Sequence, residues 1–216
     1  MKCESCLTGR LSALAVPLLT FGLLAAGCSQ PKSRIYRYET PVDASAKADD
    51  VDLLGSEESF NAGWSDVRAG RMDAALRDFE RAIRQDPANG RAYNNAGWVY
   101  YKKGQTAKAG WSFRRAIELL PGEAEPLSNL GLVMEDAGRL DEAVRLHDAA
   151  AKAEPENPLY VARSAKARLE RGDAWETVNE TVEQIAWSAR DADWVAWAER
   201  QMVAHADDGS SDGVAE

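Results

Sequence analysis

Cysteine is almost missing from this chain. Its 216 residues hold three, Cys3, Cys6 and Cys28, so no thiol lies beyond residue 28 to act as a nucleophile or close a disulfide. Histidine is as scarce: His147 and His205 stand far apart, and neither belongs to a spacing such as H-E-x-x-H that would hold a metal. There is no glycine-rich phosphate loop and no G-x-S-x-G elbow. These absences lead us to expect no catalytic residue, no metal and no cofactor. Positive charge is also in deficit, with 26 Lys and Arg against 35 Asp and Glu, for a formal charge of −9. Such a balance argues against nucleic acid, which needs clustered basic residues, and against a polybasic contact with a membrane surface. Finally, a long apolar run is lacking. The one candidate, "LSALAVPLLTFGLLAAG" from Leu11 to Gly27, is short for a membrane span and is interrupted by Pro17.

That run, with Lys2 and Arg10 before it, suits a secretory signal peptide over residues 1–27. It ends in "LLAAGCSQ", with Ala26 and Gly27 directly before Cys28. This ending resembles the lipobox of bacterial lipoproteins, although Ala25 stands where leucine is usual. The resemblance implies cleavage before Cys28 and acylation of its sulfur with palmitate-like chains, giving a mature chain anchored by lipid. Two or three chains anchor firmly, since each buried methylene contributes about 0.8 kcal/mol. Ser29 in place of Asp implies sorting to the outer membrane, facing the periplasm. Cys3 and Cys6, a C-x-x-C, fall within the segment to be removed. Loss of Lys2, Glu4 and Arg10 with that segment moves the charge from −9 to −10. Residues 28–55 are polar and lack a sustained apolar period, so they read as a flexible tether with an end-to-end distance of roughly 30 Å. Residues 207–216 read as a disordered acidic tail.

Between these ends the chain repeats itself. Gly70, Gly104, Gly138 and Gly172 are spaced 34 apart, and so are Pro87, Pro121 and Pro155. Each interval holds two apolar-periodic stretches with a glycine between them and a proline after the second, which predicts helix, turn, helix, stop. Small residues recur where paired helices must approach: Gly63, Gly97, Gly131 and Ala165 in the first stretch, Ala75, Ala109 and Ala143 in the second. A further set, Ala82, Ala116 and Ala150, faces the next unit. Phe79, Phe113 and His147 share the place that fills the gap between helices. The pattern resembles the tetratricopeptide repeat. It predicts an all-α solenoid over 56–189, with full units at 56–89, 90–123 and 124–157 and a degenerate fourth at 158–189. In the fourth, "AWETVNETVEQIAW" predicts one continuous second helix from Ala174, with Trp175, Val178, Val182, Ile185 and Ala186 on one face. A capping helix is expected over 190–206, its Trp194, Trp197, Ala198 and Met202 closing the open end or contacting a second copy.

Function then falls to the surface. The resemblance implies that the first helices line a concave groove for an extended ligand. At the implied groove positions stand Asn61, Trp64, Asn94, Asn95, Trp98, Tyr101, Lys102 and Asn129. Successive asparagines could form a ladder that matches the donors and acceptors of a peptide backbone, and the tryptophans could add rigid contact area. Equally, both could serve packing between units; the residues leave the two roles open. The carboxylate-clamp pattern found in some members is broken, with Phe60, Trp64 and Glu125 where Lys, Asn and Lys are wanted. The expectation is a non-enzymatic, membrane-anchored adaptor that binds a protein or extended peptide of the cell envelope. The rival is a self-associating structural protein that uses the C-terminal aromatic helix, possible as a homodimer.

Overall fold

The computed structural model describes residues 51–206; the expected signal peptide, Cys28, most of the expected tether and the expected acidic tail lie outside these residues. Among them the chain forms nine α-helices: α1 Leu53–Arg68, α2 Met72–Gln85, α3 Gly90–Lys102, α4 Thr106–Leu119, α5 Ala124–Asp136, α6 Leu140–Ala153, α7 Pro158–Arg171, α8 Asn179–Ser188 and α9 Ala192–Ala206. Neighbours pack as antiparallel pairs α1–α2, α3–α4 and α5–α6, and each pair stacks on the next. In addition α3 touches α5 and α5 touches α7, so the first helices form their own inner layer.

Local chemistry sets the boundaries. Asn89 caps α3 by accepting from the Ala92 N–H at 2.9 Å, and Asn157 caps α7 through the Leu159 N–H at 3.2 Å. The turn glycine of each unit takes a positive φ, for example +69° at Gly104 and +95° at Gly172, a conformation that closes a helix without a Cβ penalty. The second helices stop at Gln85, Leu119 and Ala153, each two residues before a proline. The intervening residues leave helical geometry, as proline demands of its predecessor.

Packing is tightest where the paired helices cross. A Cβ placed on Gly63 would lie 2.6 Å from the Phe79 ring; on Gly97, 2.8 Å from Phe113; on Gly131, 2.5 Å from His147. Backbone and ring are in contact there, and only glycine fits. The alanines Ala75, Ala82, Ala109, Ala116, Ala143 and Ala150 are all fully buried, as close interhelical contact requires. Gly110, inside α4, differs. A Cβ there would meet Val133 Cγ1 at 3.4 Å, an ordinary contact, so packing does not require glycine at this point.

The fourth unit departs from the predicted continuous helix. Trp175–Thr177 is a 3₁₀ turn, and α8 begins only at Asn179. Thr177 stands where the other units have Ala75, Ala109 and Ala143, and its hydroxyl donates to the Ala174 carbonyl at 2.7 Å. A threonine that bonds its own backbone competes with helix propagation. The apolar face survives the break: Val178, Val182 and Ile185 are buried. A second core gathers Ala162, Ala165, Val182, Ile185 and Ala198, and Trp175, Trp194, Trp197 and Met202 pack against it. Trp194 meets Trp197 edge-on at 5.6 Å, while Trp175 stacks on His205 at 4.3 Å.

Two alanine substitutions should therefore have opposite signs. Gly97→Ala should destabilise by about 1–3 kcal/mol through overpacking. Gly110→Ala should stabilise by up to about 1 kcal/mol, the difference in helix propensity. Urea melts of both variants check this, and a shared sign would refute the packing account.

Candidate binding surface

The inner layer of first helices carries the predicted groove residues, and the structure divides them. Asn94 and Asn129 turn into the stack, with only 3% and 7% exposure, and Asn129 Nδ2 donates to Asn94 Oδ1 at 3.1 Å. One unit later, Arg163 Nη1 donates to Ser128 Oγ at 2.7 Å. Both bonds run from the sixth residue of a unit back to the fifth residue of the unit before. Where that fifth residue is Phe60, no such partner exists. Asn95, half-buried, instead donates to the Arg91 carbonyl of its own helix at 2.8 Å. Phe60 is covered by the Arg91 guanidinium, 4.2 Å from the ring centre.

The other five face outward to differing degrees. Asn61 is exposed, and Trp64 beside it on α1 is 40% exposed. Trp98 and Tyr101 on α3 are half-buried and pack against the core with one side. Lys102 is exposed and sets its ammonium 5.5 Å from the centre of the Trp98 ring, a cation–π arrangement. Burial and the Asp136 carboxylate push the Tyr101 hydroxyl up to about 12, so it stays protonated and able to donate. Burial lowers the pKa of Arg163, which nevertheless remains charged. The outward surface is thus aromatic, with one exposed amide, Asn61, and one cation, Lys102.

Further along the stack, between α5, α6 and α7, lies a polar network that repeat logic alone does not reveal. His147 is fully buried in the place of Phe79 and Phe113. Its Nδ1 lies 3.4 Å from Ser128 Oγ, and its Nε2 lies 3.2 Å from Glu135 Oε1. Lys166 Nζ approaches the other Glu135 oxygen at 3.5 Å and Glu170 at 2.7 Å. A serine, a histidine and a glutamate in a row invite comparison with a hydrolytic triad. Here, however, Ser128 and His147 are both fully buried and Ser128 Oγ already accepts from Arg163, so no substrate can reach the hydroxyl. The set is a structural brace between α5, α6 and α7. The only sequence signal for it was a histidine at a phenylalanine position. Among the described residues no group of His, Cys, Asp and Glu is arranged to hold a metal, and no helix is long and apolar enough to cross a membrane.

A tetratricopeptide repeat family model matches residues 60–124. That match spans less than half of the chain and shows those residues to be similar to the tetratricopeptide repeat. Solved structures of that fold agree over more of the chain. The first tetratricopeptide domain of Spaghetti (RPAP3), bound to the HSP90 peptide SRMEEVD, is 19% identical with a TM-score of 0.55, covering 57% of this chain and 98% of that one. MamA residues 41-end from Desulfovibrio magneticus RS-1 is 19% identical with a TM-score of 0.54, covering 60% of this chain and 72% of its own. The OM64 tetratricopeptide domain of Arabidopsis is 19% identical with a TM-score of 0.52, covering 54% and 97%. At this identity the likeness shows the fold alone. No curated protein sequence matches the chain.

The brace carries a pH dependence. Burial raises the Glu135 pKa, but the His147 ring and the Lys166 charge outweigh it and leave the carboxyl below its ordinary value. A carboxyl depressed on folding stabilises the fold above its unfolded pKa, and that stabilisation is lost as pH falls through the folded value. Urea melts at pH 7 and in a series below pH 4.5 should therefore show stability falling with acid, and Glu135→Gln should flatten the fall. An unchanged acid slope in that variant would remove Glu135 from the account.

Proposed function

We propose that this protein is a lipid-anchored adaptor of a bacterial envelope, which holds a protein or extended peptide partner against the inner layer of its solenoid. The observation that carries the reading is the outward set Asn61, Trp64, Trp98, Tyr101 and Lys102 on consecutive first helices of a tetratricopeptide stack. Stacked helix pairs present such faces to extended ligands, and exposed tryptophans supply contact area at small entropic cost. Asn94 and Asn129 bond to each other at the edge of this set, between α3 and α5, and so hold α3 in register with the next unit. The lipobox ending at Cys28 supports the anchor, and Ser29 after it supports an outer-membrane location facing the periplasm. Binding of a free C-terminal carboxylate is disfavoured, because Phe60, Trp64 and Glu125 replace the polar and basic residues that such a site uses.

A second reading rests on Trp187, 88% exposed on α8, and on Val203, 70% exposed on α9. Apolar side chains so bare at one end of a stack suit contact with a second copy. In that reading Trp194 and Trp197 shape the end while Trp187 makes the contact.

One capture experiment separates the two. Envelope proteins crosslinked to the full chain should be lost with the triple variant Asn61→Ala/Trp64→Ala/Lys102→Ala, with helical content and melting unchanged. If the triple variant captures as well as the parent, while Trp187→Ala abolishes capture or converts dimer to monomer in sedimentation, the second reading replaces the first. The anchor is tested independently. Cells expressing the chain with labelled palmitate should label it, and Cys28→Ala should carry none; retained label would sink the lipoprotein reading.

A further inference from the structure

Two positions of the repeat part company in the second unit. At the start of the second helix, units one and three carry Met72 and Leu140, and one turn later Leu76 and Val144. The second unit has Thr106 and Gly110 instead. Residues four apart share a helix face, so these two losses fall together, on the side of α4 that meets α5. The consequence is a cavity of about 510 Å³, floored by Val133 and Met134 and walled by Thr106 and Gly110. Val133 and Met134 are each only 4% exposed, so the floor belongs to the core. Ligand pockets commonly span roughly 300–1,000 Å³.

Gly110 gives this space its meaning. Unlike Gly63, Gly97 and Gly131, it has no ring pressed against it, and a side chain would find an ordinary contact at 3.4 Å. It also lacks the positive φ of the turn glycines. A glycine inside a helix lowers stability, yet neither packing nor backbone geometry requires it here. What it does provide is room.

The rim supplies a charge. Lys108 and Arg139 line the opening and no carboxylate does, in a chain that is acidic overall. Arg139 is already bonded to Glu142, with Nε at 2.8 Å from Oε1. Lys108 has its ammonium 5.3 Å from the Tyr100 ring centre, which leaves the charge able to meet an anion. None of the outward groove residues lines this cavity, so it is separate from the proposed partner surface.

We propose that the α4–α5 cavity is a binding site for a small amphiphile, its aliphatic tail lying on Val133 and Met134 over Gly110 and its carboxylate meeting Lys108. Binding is non-covalent and independent of the adaptor reading. The test titrates the full chain with sodium decanoate below its micellar concentration and follows the methyl resonance of Met134. The expected result is a saturable shift in the parent. It should weaken by about tenfold or more in Gly110→Leu, which restores the leucine of the first unit, with melting not lowered. Thr106→Met fills the same face of α4 one turn away and should weaken it likewise, which covers the case of a misfolded Gly110→Leu. Lys108→Ala should weaken decanoate but leave decanol binding unchanged. The proposal is overturned if decanoate gives no saturable shift, or if folded filling variants bind it as the parent does. It is also overturned if decyltrimethylammonium binds as well as decanoate, or if Met134 responds only to an apolar peptide, which would assign the cavity to a protein partner.

Discussion

The contact of a helix backbone with a ring, made three times at an interval of 34 residues, is the constraint from which this architecture follows. Gly63, Gly97 and Gly131 let the second helix of each unit bring Phe79, Phe113 or His147 directly against the first. Helices so close need alanines at the neighbouring crossings, and Ala75, Ala109 and Ala143 are fully buried there. A pair of helices this thin cannot bury its own apolar face, so it must stack on the next pair. The inner layer of first helices, and with it any groove, is a consequence of that stacking.

Stacking by apolar contact alone would leave neighbouring units free to slide. Polar bonds between first helices oppose sliding, because a donor and an acceptor define one register. Asn129 to Asn94 and Arg163 to Ser128 do this between units two and three and between units three and four. At the first junction the same task falls to Asn89, which caps α3 while its Nδ2 donates to Ser56 Oγ at 3.0 Å, and Ser56 in turn bonds the Ala82 carbonyl. Each junction is therefore pinned by different chemistry at nearly the same place. The amides that suggested a peptide ladder are divided between this pinning and the open surface.

The repeat was legible in the sequence because its determinants are local in kind and periodic in position. A glycine with positive φ, a proline two residues past a helix and an alanine at a crossing each have one structural meaning, and the 34-residue interval confirms them against one another. The break before α8 was less legible because the apolar face of Trp175, Val178 and Val182 continues through it. Only Thr177, in an alanine position, signalled that the backbone there would bond differently. The fates of Asn94 and Asn129 were not legible at all. Whether an amide faces solvent or its neighbour depends on what stands 35 residues away, Phe60 or Asn94, and single-position reading does not weigh such pairs. The grouping of Ser128, Glu135, His147 and Lys166 was hidden for the same reason, since it spans three helices.

The histidine in a phenylalanine's place shows how a repeat acquires individuality without losing its form. His147 keeps the ring that the Gly131 contact demands, so the helix pair stays closed. It adds two polar atoms that phenylalanine lacks, and these must find partners once buried. Ser128 stands beside Nδ1, and Nε2 faces Glu135 Oε1 at 3.2 Å without a hydrogen bond between them; Lys166 approaches Glu135, and Arg163 donates to Ser128, in turn. One histidine at a packing position thereby joins residues of α5, α6 and α7 into a single polar network. Departures of this kind, with the repeat's shape kept and its chemistry altered, are where a solenoid built from a common unit becomes specific to one partner.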